Sequence, residues 1–261
     1  MLGKAHLRNS FKRHLLGVVV LLASLSQVNA DVSFYAYVQE EHKWKPDLEG
    51  WEGTARLIAA ATRPARSNVM VNQGPDVLFR MLTTPKESPG EYRILYLATH
   101  MSSDGRLSFA NLGEKSPDEI IGSAQQLGAI VIPDLVIVDC CYSATFENQR
   151  AWMAQVKSPH VFVCGPKEVA WQIEVNARQP LYVEKYYPEV HSLANDLMGK
   201  KWNGKLSYFG FQVVCALAAD KKSGIDSNPG DYLRRVVESP RIDERIKRTS
   251  RVSELHWFEN N

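Results

Sequence analysis

The sequence predicts an α/β protein whose mostly parallel sheet lies between layers of helices. Short apolar runs alternate along the chain with stretches whose apolar residues recur at helical spacing, and this alternation is typical of βαβ units. One run, Leu135–Asp139, begins with four aliphatic residues in succession, as expected of a strand buried on both faces. We therefore expect a six-stranded sheet in a three-layer α/β/α sandwich.

The order of the elements follows from periodicity and from turn residues. The predicted strands are Ser33–Val38, Ser67–Val71, Arg93–Thr99, Leu135–Asp139, Val161–Cys164 and Tyr208–Ala216. The predicted helices are Leu48–Thr62, one that starts at Gly74-Pro75-Asp76, one that follows Ser116, and Pro188–Met198. Between the third strand and the third helix, Asp104-Gly105 is a strong turn dipeptide, so Leu107–Ala110 is expected in a small hairpin.

The third helix has the clearest start. Ser116 is a candidate N-cap, Pro117 stands at the first helical position, and Glu119 completes a capping box. The residues expected on its buried face are Ile120, Ile121, Ala124 and Leu127.

His100 and Cys141 each stand just beyond the end of a predicted strand. Because a parallel βαβ crossover joins strands that are usually neighbours, both side chains should emerge at one edge of the sheet, where open α/β folds bind their ligands. Asp139 precedes the cysteine by two residues. A cysteine nucleophile with a histidine partner is the leading hypothesis for this edge, and the backbone N–H groups of Met101 and Cys141 are candidate donors to an oxyanion.

Residues 1–30 resemble a secretory leader, which leaves residues 31–261 as one domain. Four basic residues precede the eleven-residue apolar stretch Leu15–Leu25, which is shorter than the roughly 20 residues of a membrane-spanning helix. Val28-Asn29-Ala30 is the expected cleavage site; an uncleaved amino-terminal anchor is the alternative. Removing the leader changes the formal net charge from +2 to −2, so we expect a secreted or periplasmic protein without nucleic-acid partners and, once cleaved, without a membrane.

The four cysteines lie in apolar surroundings rather than in an evenly spaced disulfide framework. Burial is the expected role of Cys140, Cys164 and Cys215, with a Cys140–Cys164 or Cys164–Cys215 bridge as the alternative. A zinc site from His100, Cys141 and Cys164 lacks paired ligand spacing, and no dinucleotide or phosphate-loop motif is present. We therefore expect neither a metal nor a cofactor.

The segment Leu95–His100 followed by Val136–Ser143 resembles the caspase-like superfamily of cysteine peptidases, which includes caspases, metacaspases, gingipains and CHAT domains. Metacaspases carry an Asp-x-Cys-x-Ser element at this strand end, matched here by Asp139, Cys141 and Ser143. The resemblance implies a caspase-like sandwich in which Cys141 is the nucleophile and His100 the general acid/base. It also implies that Asp139 lines the pocket for a basic P1 side chain; closing the turn at the strand end is its alternative role.

One residue departs from the family pattern. The family usually has glycine directly after its histidine, where this chain has Met101. A backbone position that required positive φ would strain a methionine, and its side chain could crowd the carbonyl site. The prediction is thus a cysteine endopeptidase that acts on peptide or protein substrates, with a catalytically inactive protein-binding domain of the same fold as the alternative.

Overall fold

The computed structural model describes residues 29–39, 49–62, 64–109, 113–140, 142–143, 147–148, 157, 160–164, 172–174, 192, 205–207 and 255–259. The strands, in chain order, are β1 Asn29–Val38, β2 Pro64–Val71, β3 Tyr92–Ala98, β4 Leu107–Phe109, β5 Gly113–Lys115, β6 Leu135–Val138, β7 His160–Cys164, β8 Gln172–Glu174, β9 Lys205–Ser207 and β10 Leu255–Glu259. The helices are α1 Glu49–Thr62, α2 Pro75–Thr83 and α3 Pro117–Leu127.

The main sheet has the order β10-β7-β6-β3-β1-β2. Pairing is parallel from β2 through β1, β3 and β6 to β7, and β10 joins β7 in the antiparallel direction. The α/β class and the parallel character of the sheet are therefore confirmed. The caspase-like sandwich stays a prediction, and the predicted strand Tyr208–Ala216 and most of the predicted helix Pro188–Met198 lie outside the described residues.

Two small antiparallel pairs accompany the main sheet. The first, β4 with β5, confirms that Leu107–Phe109 lies in a small hairpin; residues 110–112, which join its two strands, lie outside the described residues. The second, β8 with β9, has no counterpart in the sequence prediction, and β9 lies against α1. Within the described part of the chain, no helix is both long enough and apolar enough to cross a bilayer.

Alternate residues of the central strands face opposite sides of the sheet, and helices cover both sides. On the α1 face, Phe34, Ile94 and Ile137 pack with Trp51 and Ile58 of that helix. The opposite face, covered by α2 and α3, is formed by other residues of the same strands and by the buried stripes of the two helices: Tyr37, Leu95, Leu97, Val136, Val138, Leu78, Met81, Leu82, Ile120, Ile121 and Ala124. Burial on both faces explains why β3 and β6 are nearly continuous apolar runs.

The predicted start of α3 is confirmed, and one residue of its predicted buried face is not. The Ser116 N–H donates to Glu119 Oε2 at 2.7 Å, and the hydrogen bonds from Ser116 lower the pKa of Glu119. Leu127, however, is 57% exposed, so its prediction as a buried residue is wrong. The helix ends at Leu127, and periodicity indicates which side of a helix faces the core but not how far the core extends beneath the last turn.

A buried ion pair stabilises the amino end of the strands. Arg93, which is 2% exposed, donates to Glu91 Oε1 at 2.8 Å and to the carbonyl oxygen of Pro85 at 3.1 Å. The hydroxyl of Ser33 on β1 donates to the same Glu91 oxygen at 2.5 Å. Burial on its own would raise the pKa of Glu91, but the hydrogen bonds from Ser33 and Arg93 and the charge of Arg93 outweigh it, so the pKa is lowered.

Replacing Glu91 should therefore be costly. We expect Glu91→Gln to lower the free energy of unfolding at pH 7 by about 3 kcal/mol, because it leaves the buried Arg93 without its counter-charge. Urea denaturation measures this effect. Asp76→Asn is the matched control, since Asp76 pairs with Arg80 on the exposed side of α2, and it should cost about 0.5 kcal/mol or less.

The same pair predicts a pH dependence of stability. A carboxylate whose pKa is lower in the folded chain contributes stability above its unfolded pKa of about 4.3, and loses that contribution as the pH falls through the folded pKa. The difference in unfolding free energy between wild type and Glu91→Gln should accordingly shrink below about pH 4. A difference that stays constant from pH 7 to pH 3 would contradict this assignment.

Candidate active site

His100 follows the end of β3 on a backbone that is held from both sides. Its side chain is exposed, whereas the neighbouring Thr99 and Met101 are buried. The Thr99 hydroxyl donates to the Ser108 carbonyl oxygen at 2.6 Å, and the Ser108 N–H donates to the carbonyl oxygen of His100 at 2.8 Å. The imidazole is thus presented to solvent from an anchored segment.

A glycine turn connects the segment after His100 to β4, which supplies Ser108. The Gly105 N–H donates to the Ser102 carbonyl oxygen at 2.9 Å, and Gly105 has a φ of 83°, a left-handed conformation that glycine adopts without steric cost. The turn predicted at Asp104-Gly105 is therefore confirmed. It returns the chain along the loop after β3, so Ser108 lies beside His100.

Met101 is neither strained nor directed at the edge of the sheet. Its side chain belongs to the core of the face covered by α2 and α3, and the only described non-glycine residues with positive φ are Asn72, Tyr142 and Lys157. Met101 forms an isolated antiparallel bridge with Leu107, and the bonds of this bridge are made by the flanking residues. The Met101 N–H therefore takes no part in the bridge.

The imidazole of His100 contacts the ring of Trp51 in the first turn of α1. The ring centroids are 5.5 Å apart and the planes meet at 71°, an edge-to-face arrangement that aromatic rings favour. Trp51 is itself buried, which limits the positions that the imidazole can take. Trp51 belongs to the apolar cluster on this side of the sheet, and the sequence carried no signal for its contact with His100.

Asp139 lies at the same edge and is closed off from solvent. Its side chain is 1% exposed, and its Oδ2 accepts a hydrogen bond from the Tyr96 hydroxyl of β3 at 2.7 Å. The Asp139 N–H donates to the Leu97 carbonyl oxygen at 2.8 Å. The sequence did not predict the role of Tyr96, because a tyrosine within an apolar run gives no indication of where its hydroxyl lies.

Cys140 faces away from Asp139. It is buried among the residues covered by α2 and α3, and its Sγ donates to the Leu97 carbonyl oxygen at 3.6 Å. Its predicted role as the buried neighbour is confirmed. Cys141, the predicted nucleophile, lies outside the described residues, as do Cys215 and the side chain of Cys164, so neither the dyad nor a Cys164–Cys215 bridge is tested. The thiol of Cys140 is reduced, so the alternative Cys140–Cys164 bridge is not formed.

The chain on the far side of Cys141 returns in a tight turn. The Ser143 N–H donates to the Cys140 carbonyl oxygen at 3.3 Å. Tyr142 has a φ of 55°, a left-handed conformation that is uncommon for a non-glycine residue. Asn148, for which the sequence carried no signal, donates through Nδ2 to the Tyr142 carbonyl oxygen at 3.0 Å.

Among the residues that the structure describes, no group of three or more histidine, cysteine, aspartate or glutamate side chains could hold a metal ion.

The chain has no detectable similarity to known proteins. No protein-family model matches it, and none of the curated proteins is significantly similar to it.

The Tyr96–Asp139 contact predicts a measurable coupling. We expect Tyr96→Phe to lower the free energy of unfolding by about 2 kcal/mol, because it removes a donor from a buried carboxyl group. Urea denaturation of both single variants and of the double variant with Asp139→Asn completes a double-mutant cycle, which measures the interaction free energy between the two side chains. Simple additivity of the two single effects would contradict the contact.

Proposed function

We propose that this chain is an exported caspase-like cysteine endopeptidase in which Cys141 is the nucleophile and His100 the general acid/base. The observation that carries the proposal is the register between the neighbouring parallel strands β3 and β6, in which Leu97 pairs with Val138. His100 and Cys141 each follow one member of this pair by three residues. Equal offsets from paired residues favour their convergence at one edge of the sheet.

The proposed chemistry is acyl transfer to sulfur and then to water. The Cys141 thiol gives its proton to His100, and the sulfur attacks the scissile carbonyl carbon. The Met101 N–H donates to the resulting oxyanion. When the C–N bond breaks, the leaving amine takes the proton from His100. His100 then deprotonates a water molecule that attacks the thioester carbonyl carbon. The C–S bond breaks, the product acid leaves, and the Cys141 sulfur takes the proton back from His100.

The packing of the described helices supports a caspase-like α/β/α sandwich. Helix α1 covers one face of the sheet, while α2 and α3 cover the other. Because helices pack on both faces, we propose that the peptide binds at the edge where the strands end. This edge carries the exposed His100 and the loop that continues from Asp139.

The proposed export rests on the leader-like sequence, and the pairing of β1 is compatible with cleavage after Ala30. Asn29 pairs with Pro64, and the register shifts before the regular pairing resumes at Ser33. Pairing of β1 with β3 begins only at Val32. Cleavage after Ala30 would remove residues that lie before this regular part of the strand.

The alternative is a catalytically inactive domain of the same fold that binds a protein partner. The burial of Asp139 and its bond to Tyr96 favour this alternative, because the carboxyl group that should receive a basic P1 side chain already has a partner within the fold. Met101 no longer favours it, since its φ is not positive and its side chain lies in the core.

Substitution of the dyad distinguishes the two functions. We expect Cys141→Ala and His100→Ala each to lower turnover of a fluorogenic peptide with arginine at P1 by about 10³-fold or more. Iodoacetamide should modify Cys141 faster than any other cysteine of the folded protein, and more slowly once His100 is replaced.

Cys140→Ala is the matched control for these variants. It removes the thiol of Cys140, which is buried among the residues covered by α2 and α3. Both the turnover and the labelling of Cys141 should change little. Equal and slow labelling of all four cysteines, with no turnover, would refute the peptidase and favour the binding domain.

Asp139 makes the P1 preference testable. A lysine or arginine side chain needs a counter-charge where it leaves water, so Asp139→Asn should reduce the ratio of kcat/KM for an arginine P1 over a norleucine P1 by about 30-fold or more. Tyr96→Phe retains the carboxyl group and should retain the preference. An unchanged ratio in Asp139→Asn would leave Asp139 with the alternative role, closing the turn at the strand end.

A further inference from the structure

Asn148 joins two loops that approach the same edge of the sheet from different strands. Its side chain is 3% exposed. The Nδ2 group donates to the carbonyl oxygen of Tyr142 at 3.0 Å. The other end of the amide lies against Gly105, where an added Cβ would come within 2.5 Å of Asn148 Oδ1.

Each of these contacts is made to a loop that carries or holds one residue of the proposed dyad. Gly105 closes the turn that leads into β4, and the Ser108 N–H of this strand donates to the carbonyl oxygen of His100. Tyr142 follows Cys141 directly in the chain. We propose that Asn148 is a positioning residue that fixes the position of the loop carrying Cys141 relative to the hairpin that holds His100. This proposal rests on the proposed function.

The backbone of Tyr142 shows why such a residue is needed. A non-glycine residue with a φ of 55° is held in a sparsely populated conformation, and such a conformation persists only where the surrounding structure determines it. The hydrogen bond from Asn148 is one such constraint. Since the two reacting groups lie on different loops, a displacement of about 1 Å can cost about 100-fold in rate.

Gly105 provides the reciprocal constraint. Its left-handed φ of 83° and the close approach of Asn148 both exclude a side chain at this position. An alanine there would push the Asn148 amide away from Tyr142. Gly105→Ala and Asn148→Ala should therefore damage the same arrangement by different means.

The test compares kcat and KM for the arginine-P1 peptide in Asn148→Asp, which has nearly the shape of asparagine but lacks the N–H donor. We expect kcat to fall by about 10- to 100-fold while KM changes little, and the labelling of Cys141 by iodoacetamide to slow in parallel. Ser33→Ala, at the opposite, amino end of the strands, removes a hydrogen bond to Glu91; it is the stability control and should leave kcat unchanged.

A double variant keeps the test decisive if Asn148→Asp does not fold. Gly105→Ala with Asn148→Ala should be no slower than the slower single variant, because both substitutions disrupt one arrangement. Three results would overturn the positioning role while leaving the peptidase intact. They are a double variant whose loss of kcat is the product of the two single losses, a wild-type kcat in Asn148→Asp, and a change confined to KM. A wild-type protein without Cys141-dependent turnover would instead overturn both proposals.

Discussion

The parallel pairing of β3 with β6 is the constraint on which the candidate site depends. The two strands share hydrogen bonds from Ile94 with Leu135 to Leu97 with Val138, and both are buried on two faces. Sliding one strand by a single residue would turn every side chain to the opposite face and place polar Asp139 among the apolar residues under α2 and α3. The hydrophobic pattern therefore determines both the core and the relative positions of the two strand ends.

The two ends of the strands hold their buried polar groups differently. At the amino end, Arg93 and Glu91 form a hydrogen-bonded pair that includes Ser33 and nearby carbonyl oxygens. At the carboxyl end, the described contact of Asp139 is with a neutral hydroxyl, that of Tyr96. The first arrangement neutralises charge within the fold, whereas the contact between Tyr96 and Asp139 joins an acidic side chain to a hydroxyl donor.

The features that the sequence predicted correctly depend on local chemistry. The capping box of α3, the glycine turn at Gly105 and the burial of Cys140 follow from neighbouring residues and from strand alternation. Leu127 was predicted wrongly because its exposure depends on where the core ends. The contacts of Trp51, Tyr96 and Asn148 were missed for the same reason, since each joins residues whose proximity is decided by the packing of separate elements rather than by spacing along the chain.

The anchoring of Thr99 and Met101 has a consequence for motion. With both neighbours of His100 buried and the intervening carbonyl oxygen bonded to Ser108, the imidazole can reorient only by rotation about its own side-chain bonds, which takes picoseconds to nanoseconds. Changes in the direction of this ring should therefore follow the time scale of rotamer exchange rather than that of loop movement.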